Sequence, residues 1–142
     1  MANKHIITTE WKGNMAFESN IDGHIIRMDA PVEAGGNNSG SSPKKLMLTA
    51  LSGCTGMDVV SILKKMRVNI EKCIMEVSGN VTEEHPKQYE SMHIIYEFQG
   101  KDLPLEKLQK AVRLSEENYC GVGAFYRKVI NITSEIRVIG TV

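Results

Sequence analysis

The chain lacks any excess of charge. Its 142 residues hold 17 Lys+Arg against 17 Asp+Glu, for a formal net charge of zero. With no basic block there is no electrostatic basis for gripping phosphates, so nucleic acid is not an expected partner. Neutrality also gives little colloidal repulsion and eases self-association. Cysteine is scarce and odd in number: Cys54, Cys73 and Cys120, with no CxxC pair. That excludes a disulfide scaffold. His5, His24, His85 and His93 are scattered, and no Cys–His spacing suits zinc, so no metal site is expected. The opening residues MANKHIITTEW contain no apolar run of signal-peptide length. The most apolar later stretch is interrupted by Thr49, Ser52, Gly53, Thr55, Gly56, Asp58 and Ser61, which argues against a membrane span. A cytoplasmic protein with no membrane partner is the expectation.

What is present is ordinary globular composition, 42% hydrophobic and 24% charged, which excludes disorder. A single domain over residues 1–142 follows from the length. The longest segment that reads as one element is Pro43 to Arg67. Pro43 suits the first helical position, with Ser41 or Ser42 as cap. From Leu46 to Leu63 the only charged side chain is Asp58, and apolar residues fall on every side of the helical wheel. A helix of this kind is buried on most sides, and at ~1.5 Å per residue it spans roughly 36 Å. Cys54 sits at its middle between Gly53 and Thr55, with Gly56 nearby. Two glycines inside a helix cost about 1 kcal/mol each, which points to a close backbone neighbour or room for a small molecule.

Around this helix the chain reads as strands at 5–11, 15–20 and 24–29, joined by turns at Lys12-Gly13-Asn14 and Ile21-Asp22-Gly23. A Gly, Asn and Ser-rich loop follows over 30–42, either a flexible connection or a cover for a site. After the helix, Val68–Val81 and Tyr89–Gln99 alternate as a hairpin, with Met92, Ile94, Tyr96 and Phe98 inward. Asp102 is placed to cap a helix from Pro104 to about Tyr119. A short helical turn at Ala124–Lys128 and a final strand at Val129–Val138 complete the order. Strands and helices are partly segregated, so the fold class is α+β with antiparallel sheets around the long buried central helix. Burying that helix on all sides calls for two intertwined copies, an obligate homodimer.

Cys54 and Cys120 each lie among small residues, Ser52-Gly53-Cys54-Thr55-Gly56 and Cys120-Gly121-Val122-Gly123-Ala124, which leave a sulfur approachable. Two thiols brought together allow one to attack an oxidant and the other to resolve the product as a disulfide. That chemistry needs a thiolate, and so a cation or strong donors nearby. Asp58, one turn on from Cys54, acts in the opposite direction if ionised. A lone cysteine on an apolar helix is, however, more often an inert small hydrophobe, and that reading stays open. Cys73, on a predicted strand, is a poor candidate.

The segment SPKKLMLTALSGCTGMDVVSILKKMR resembles the central helix of the OsmC/Ohr family of osmotically inducible and organic-hydroperoxide-resistance proteins. EENYCGVGAFYR resembles the family's second cysteine segment, and MDAPVEAGGNNSGSSP the loop into the helix. The two cysteines stand about 66 residues apart in matching contexts, and the wording around Cys54 is similar to the OsmC-like branch. The resemblance implies the OsmC-like fold, an intertwined homodimer with sites at the subunit interface, and reduction of organic hydroperoxides by thiol chemistry. Cys54 matches the attacking cysteine and Cys120 the resolving one. It further implies a dithiol reductant, of the lipoyl type in the Ohr branch, and no metal, flavin or haem cofactor. Active family members carry a glutamate just after the helix-starting proline, where it holds an arginine that activates the cysteine. Here Lys44 takes that place, beside Lys45. Arg27, on the third predicted strand, is the candidate for the arginine, and Lys12 a weaker one. Lys44 and Lys45 lie about 13–15 Å along the helix from Cys54 at ~1.5 Å per residue, too far for contact within one helix.

Three readings result. The first is a thiol peroxidase in oxidative stress defence, passing through a Cys54 sulfenic acid and a Cys54–Cys120 disulfide. The second is a non-catalytic or redox-sensing protein that binds a small apolar ligand at the dimer interface, motivated by the missing glutamate. The third is a purely structural dimer.

Overall fold

The computed structural model describes residues 3–140. The chain divides into two compact units, Met1–Met47 and Leu48–Val142.

The N-terminal unit is a three-stranded antiparallel sheet of β1 (Thr8–Trp11), β2 (Phe17–Ile21) and β3 (His24–Met28), in that order. Asp22 and Gly23 both take positive φ, 51° and 89°, as a two-residue turn matched to strand twist requires. The loop expected after β3 is folded. Val32–Ala34 forms a 3-10 turn, and the Asp29 carboxylate, 4% exposed, collects the loop's donors. It accepts from the Ala30 N–H at 2.7 Å, the Ser39 N–H at 3.0 Å and the Ser39 hydroxyl at 2.6 Å. The Ser39 bonds, the side-chain one first, pull its carboxyl down to about 2. This unit has almost no apolar interior. Among the described residues only Ala16, Ser19, Asp29 and Gly36 are buried, whereas Trp11, Phe17, Ile25 and Ile26 are exposed.

The long helix α1 (Pro43–Lys65) starts at the proline, as its sequence predicts. It ends in a Schellman-type closure, the Val68 N–H on the Leu63 carbonyl at 2.9 Å and the Arg67 N–H on Lys64 at 3.1 Å, with Arg67 itself at φ 60°. Within a single chain the helix is enclosed along one face. Only Leu51, Thr55, Gly56, Val59 and Leu63 are enclosed, a stripe with the near-fourfold spacing of one helix face. Met57 is 77% exposed and Met47 and Val60 are exposed too. The sheet of the C-terminal unit covers one side of the rod. By length and composition alone α1 passes the test for a membrane span, as core helices also do. Its enclosed stripe packs in the core of the C-terminal unit.

That core lies between α1 and a second sheet of β4 (Lys72–Val81), β5 (Tyr89–Gln99) and β6 (Asn131–Ile139), in that order. β4 begins four residues later than the alternation from Val68 suggests, because the helix closure occupies the start. β4 and β5 pair antiparallel, with Val77 opposite Ile94 and Met75 opposite Tyr96. Met92, Ile94, Tyr96 and Phe98 point inward, as predicted, and Ile94, Tyr96 and Phe98 are fully enclosed. Burying side chains of this size contributes about 1.5–3 kcal/mol each. Gly79 is required where it stands, since a Cβ there would lie 2.6 Å from the Tyr89 ring. The expectation of antiparallel sheets fails at β6, which runs parallel to β5, Tyr96 beside Ile136. Parallel neighbours need a crossover, and everything between Gly100 and Ile130 serves as one. Asp102 is not a cap: it takes φ 50° in a turn, and the residue before α2 (Leu105–Leu114) is Pro104. The predicted helix to Tyr119 stops being α-helical at Leu114. A π turn, Ser115–Tyr119, carries it to Cys120, and α3 (Gly121–Arg127) follows.

Candidate thiol site

The π turn is what positions the second cysteine. Its wide ring places the Cys120 N–H on the Ser115 carbonyl at 2.8 Å, five residues back, where an α-turn would reach four. Single π turns of this kind are frequent at functional sites. Cys120 then heads α3, and its Sγ accepts the Gly123 N–H at 3.3 Å. The side chain is 3% exposed. From α1, Cys54 packs partly buried against the same core, within hydrogen-bonding reach of Cys120. Two residues far apart in sequence are thus brought together, and both remain free thiols. Burial, first, pushes the Cys120 thiol up to about 11. The hydrogen bond to Cys54, the charge on Cys54 and the charge on Asp58 add to the rise, and the Gly123 N–H works against it. Cys120 is therefore a protonated thiol at neutral pH.

A run of polar groups backs the pair. Thr55, next to Cys54 and 1% exposed, sits 2.9 Å from the Tyr96 hydroxyl and 2.8 Å from the Ser115 hydroxyl. Ser115 donates to Asp58 Oδ2 at 3.0 Å, and Tyr96 donates to Glu116 Oε2 at 2.8 Å. Ser134 of β6 donates to Glu116 Oε1 at 3.3 Å. Arg127, at the end of α3, folds back so that Nη1 donates to the Glu116 carbonyl at 3.3 Å and Nη2 lies 4.0 Å from its carboxylate. A Cβ at Gly123 would stand 2.7 Å from Arg127 Nη1 and 3.3 Å from Cys120 Sγ, so guanidinium and sulfur flank the same glycine. The sequence reading missed Arg127 and Glu116. Both lie inside the segment EENYCGVGAFYR, but only the π turn and α3 fold its two ends together.

Arg27 belongs to the N-terminal unit. There it pairs with Glu18 across the β2–β3 register at 2.8 Å and donates to the Ser39 hydroxyl at 2.9 Å. Lys12 pairs with Glu10 at 3.4 Å. Cys73, on β4, is a half-buried thiol raised by burial. It lines an open groove of about 640 Å³ together with Gly53, Gly56, Met57, Val60 and Met75. The room that the two glycines signalled is therefore real, but neither Cys54 nor Cys120 lines it. Among the described residues no group of three His, Cys, Asp or Glu is arranged to hold a metal.

With this geometry in hand, the comparison with known proteins is specific. The model of the OsmC-like protein family matches residues 36–135, a span holding both cysteines, α1 and the crossover. The chain belongs to the OsmC-like family. Protein YhfA of Escherichia coli (strain K12) is 33% identical over 134 residues, 92% of this chain and 95% of that one. A crystal structure of a hypothetical protein from Aquifex aeolicus VF5 superimposes with a TM-score of 0.82 at 29% identity, covering 97% of this chain and 99% of that chain. The organic hydroperoxide resistance protein OhrB of Bacillus subtilis shares the fold with a TM-score of 0.67 at 18% identity, covering 95% and 98%. The OsmC-like α+β fold expected from the two cysteine segments is therefore the fold of this chain.

Proposed function

We propose that this OsmC-like protein is a cytoplasmic thiol peroxidase that reduces organic hydroperoxides. The observation that carries the reading is the pairing of a half-buried Cys54 with a buried, protonated Cys120 in hydrogen-bonding reach. The two sulfurs differ in exposure, Cys54 half-buried and Cys120 buried. Cys54, as thiolate, attacks the distal peroxide oxygen. The O–O bond breaks, and the alkoxide takes up a proton and leaves as alcohol. Cys54 is now a sulfenic acid. The Cys120 sulfur attacks it, the S–O bond breaks, and the hydroxide leaves as water with the Cys120 proton. A dithiol reduces the resulting disulfide. Within the C-terminal unit the Arg127 guanidinium flanks Gly123 on one side and the Cys120 sulfur flanks it on the other. The name of the Bacillus subtilis relative, organic hydroperoxide resistance protein, supports the same substrate class.

The working unit in this reading is a homodimer. Support comes from an N-terminal sheet with almost no apolar interior, from the uncovered face of α1 at Met47, Met57 and Val60, and from the absence of net charge. A second reading, an apolar-ligand binder, is favoured by two observations: the groove along Met57 and Met75, and Lys44 in place of the family glutamate.

The test is consumption of tert-butyl hydroperoxide and hydrogen peroxide with dihydrolipoamide as reductant, beside Cys54→Ser and Cys120→Ser, with molecular mass from sedimentation. Faster turnover of the organic peroxide, abolished by Cys54→Ser, is expected from a dimer of two chains. Turnover no higher than the Cys54→Ser background rejects the peroxidase.

A further inference from the structure

The polar run behind the cysteines has a proton count that does not close. Its order is Asp58, Ser115, Thr55, Tyr96, Glu116, and each consecutive pair is joined by one short oxygen–oxygen contact of 2.8 to 3.0 Å. Four such contacts need four protons, because two oxygens at that distance without a proton between them repel. The three hydroxyls supply one proton each, and an ionised carboxylate supplies none. Thr55 shows the conflict most directly. If Ser115 donates to Asp58 and Tyr96 donates to Glu116, both of their oxygens need a donor, and Thr55 has one proton for two partners. Water is kept from the middle of the run: Thr55 is 1% exposed, and Ser115 and Tyr96 are 0% exposed. One added proton on either end carboxyl closes all four bonds. Shifting each hydroxyl proton by one place moves that added proton from one end to the other.

We infer that this chain stores one proton, shared between Asp58 and Glu116, and presents it to the thiol site. The two ends face different groups. Asp58 is one helical turn beyond Cys54 on α1. Glu116 faces Arg127 and Ser134. In the peroxidase reading, on which this use of the proton rests, the alkoxide released at Cys54 needs a proton, and the Asp58 end supplies it. Thr55, Tyr96 and Ser115 touch no substrate and act as positioning residues for that transfer.

Infrared spectroscopy of the full protein at pH 7, in water and in deuterium oxide, tests the stored proton directly. The wild type is expected to show the carbonyl band of a protonated carboxyl, moving on deuteration. Glu116→Gln keeps the shape and supplies the fourth donor from its amide, so the band should vanish while the fold stays intact. Thr55→Ala leaves two separate hydroxyl–carboxylate pairs, each closed by its own proton, and should also lose the band. In single-turnover oxidation of Cys54, Glu116→Gln should be slower by about tenfold or more, as for loss of a positioned acid. Absence of the band from the wild type, or its persistence in the Asp58→Asn, Glu116→Gln double variant, overturns the inference. A wild type that shows the band but consumes no peroxide retires the peroxidase and leaves the stored proton standing.

Discussion

Cys120 offers the sharpest test of the site, because its surroundings act on a quantity that can be read one residue at a time. Its thiol moves from an ordinary value of 9.0 to about 11, burial being the largest cause. Each pH unit of such a move is a factor of ten in thiolate, so at pH 8 the folded protein holds about 100-fold less Cys120 thiolate than the unfolded chain. Alkylation by iodoacetamide runs through the thiolate. Followed by peptide mass spectrometry in native buffer and in urea, Cys120 should therefore react about 100-fold more slowly when folded, and enclosure at 3% exposure slows it further. Cys54→Ser removes the neighbouring charge and should speed Cys120. Because the folded value lies above the unfolded one, the favoured protonated form adds to stability fully below pH 9, and that contribution is lost as pH rises through about 11. Folded and unfolded rates within threefold of each other at pH 8, or no response to Cys54→Ser, would refute the reasoning.

Two further outcomes follow from the packing. Gly79→Ala drives a methyl group against the Tyr89 ring and to 3.2 Å from Leu48, and should cost about 1–3 kcal/mol as overpacking, read as a fall in the urea midpoint with unchanged slope. Asp29, held near 2 by the Ser39 bonds, contributes stability that is present above its ordinary 3.8 and is lost as pH falls through about 2. An NMR titration should show the Ser39 amide moving with that low midpoint, and Ser39→Ala should shift the midpoint up toward 3.8.

The sequence was legible where the signal was local. The small residues around Cys54 and Cys120 marked both sulfurs before any geometry was known. The alternation from Tyr89 to Gln99 placed Met92, Ile94, Tyr96 and Phe98 inward. It stumbled where the answer depended on partners distant in sequence. Arg127 went unnoticed because nothing local says that its side chain folds back over Gly123. Thr55, Ser115 and Tyr96 looked like ordinary small-polar and strand residues. Only a fold in which α1, the π turn and β5 converge makes them one chain of contacts.

Order and type of the elements, the inward face of β5, the proline-started helix and the two thiols were determined by the sequence alone, since periodicity, turn chemistry and residue type act over a few positions. Tertiary structure decided that β6 runs parallel to β5, that α1 is covered along a single stripe, and that Cys54 meets Cys120. Those outcomes depend on which surfaces pair across tens of residues, and a helix apolar on every side carries no local mark of which side its own chain will cover.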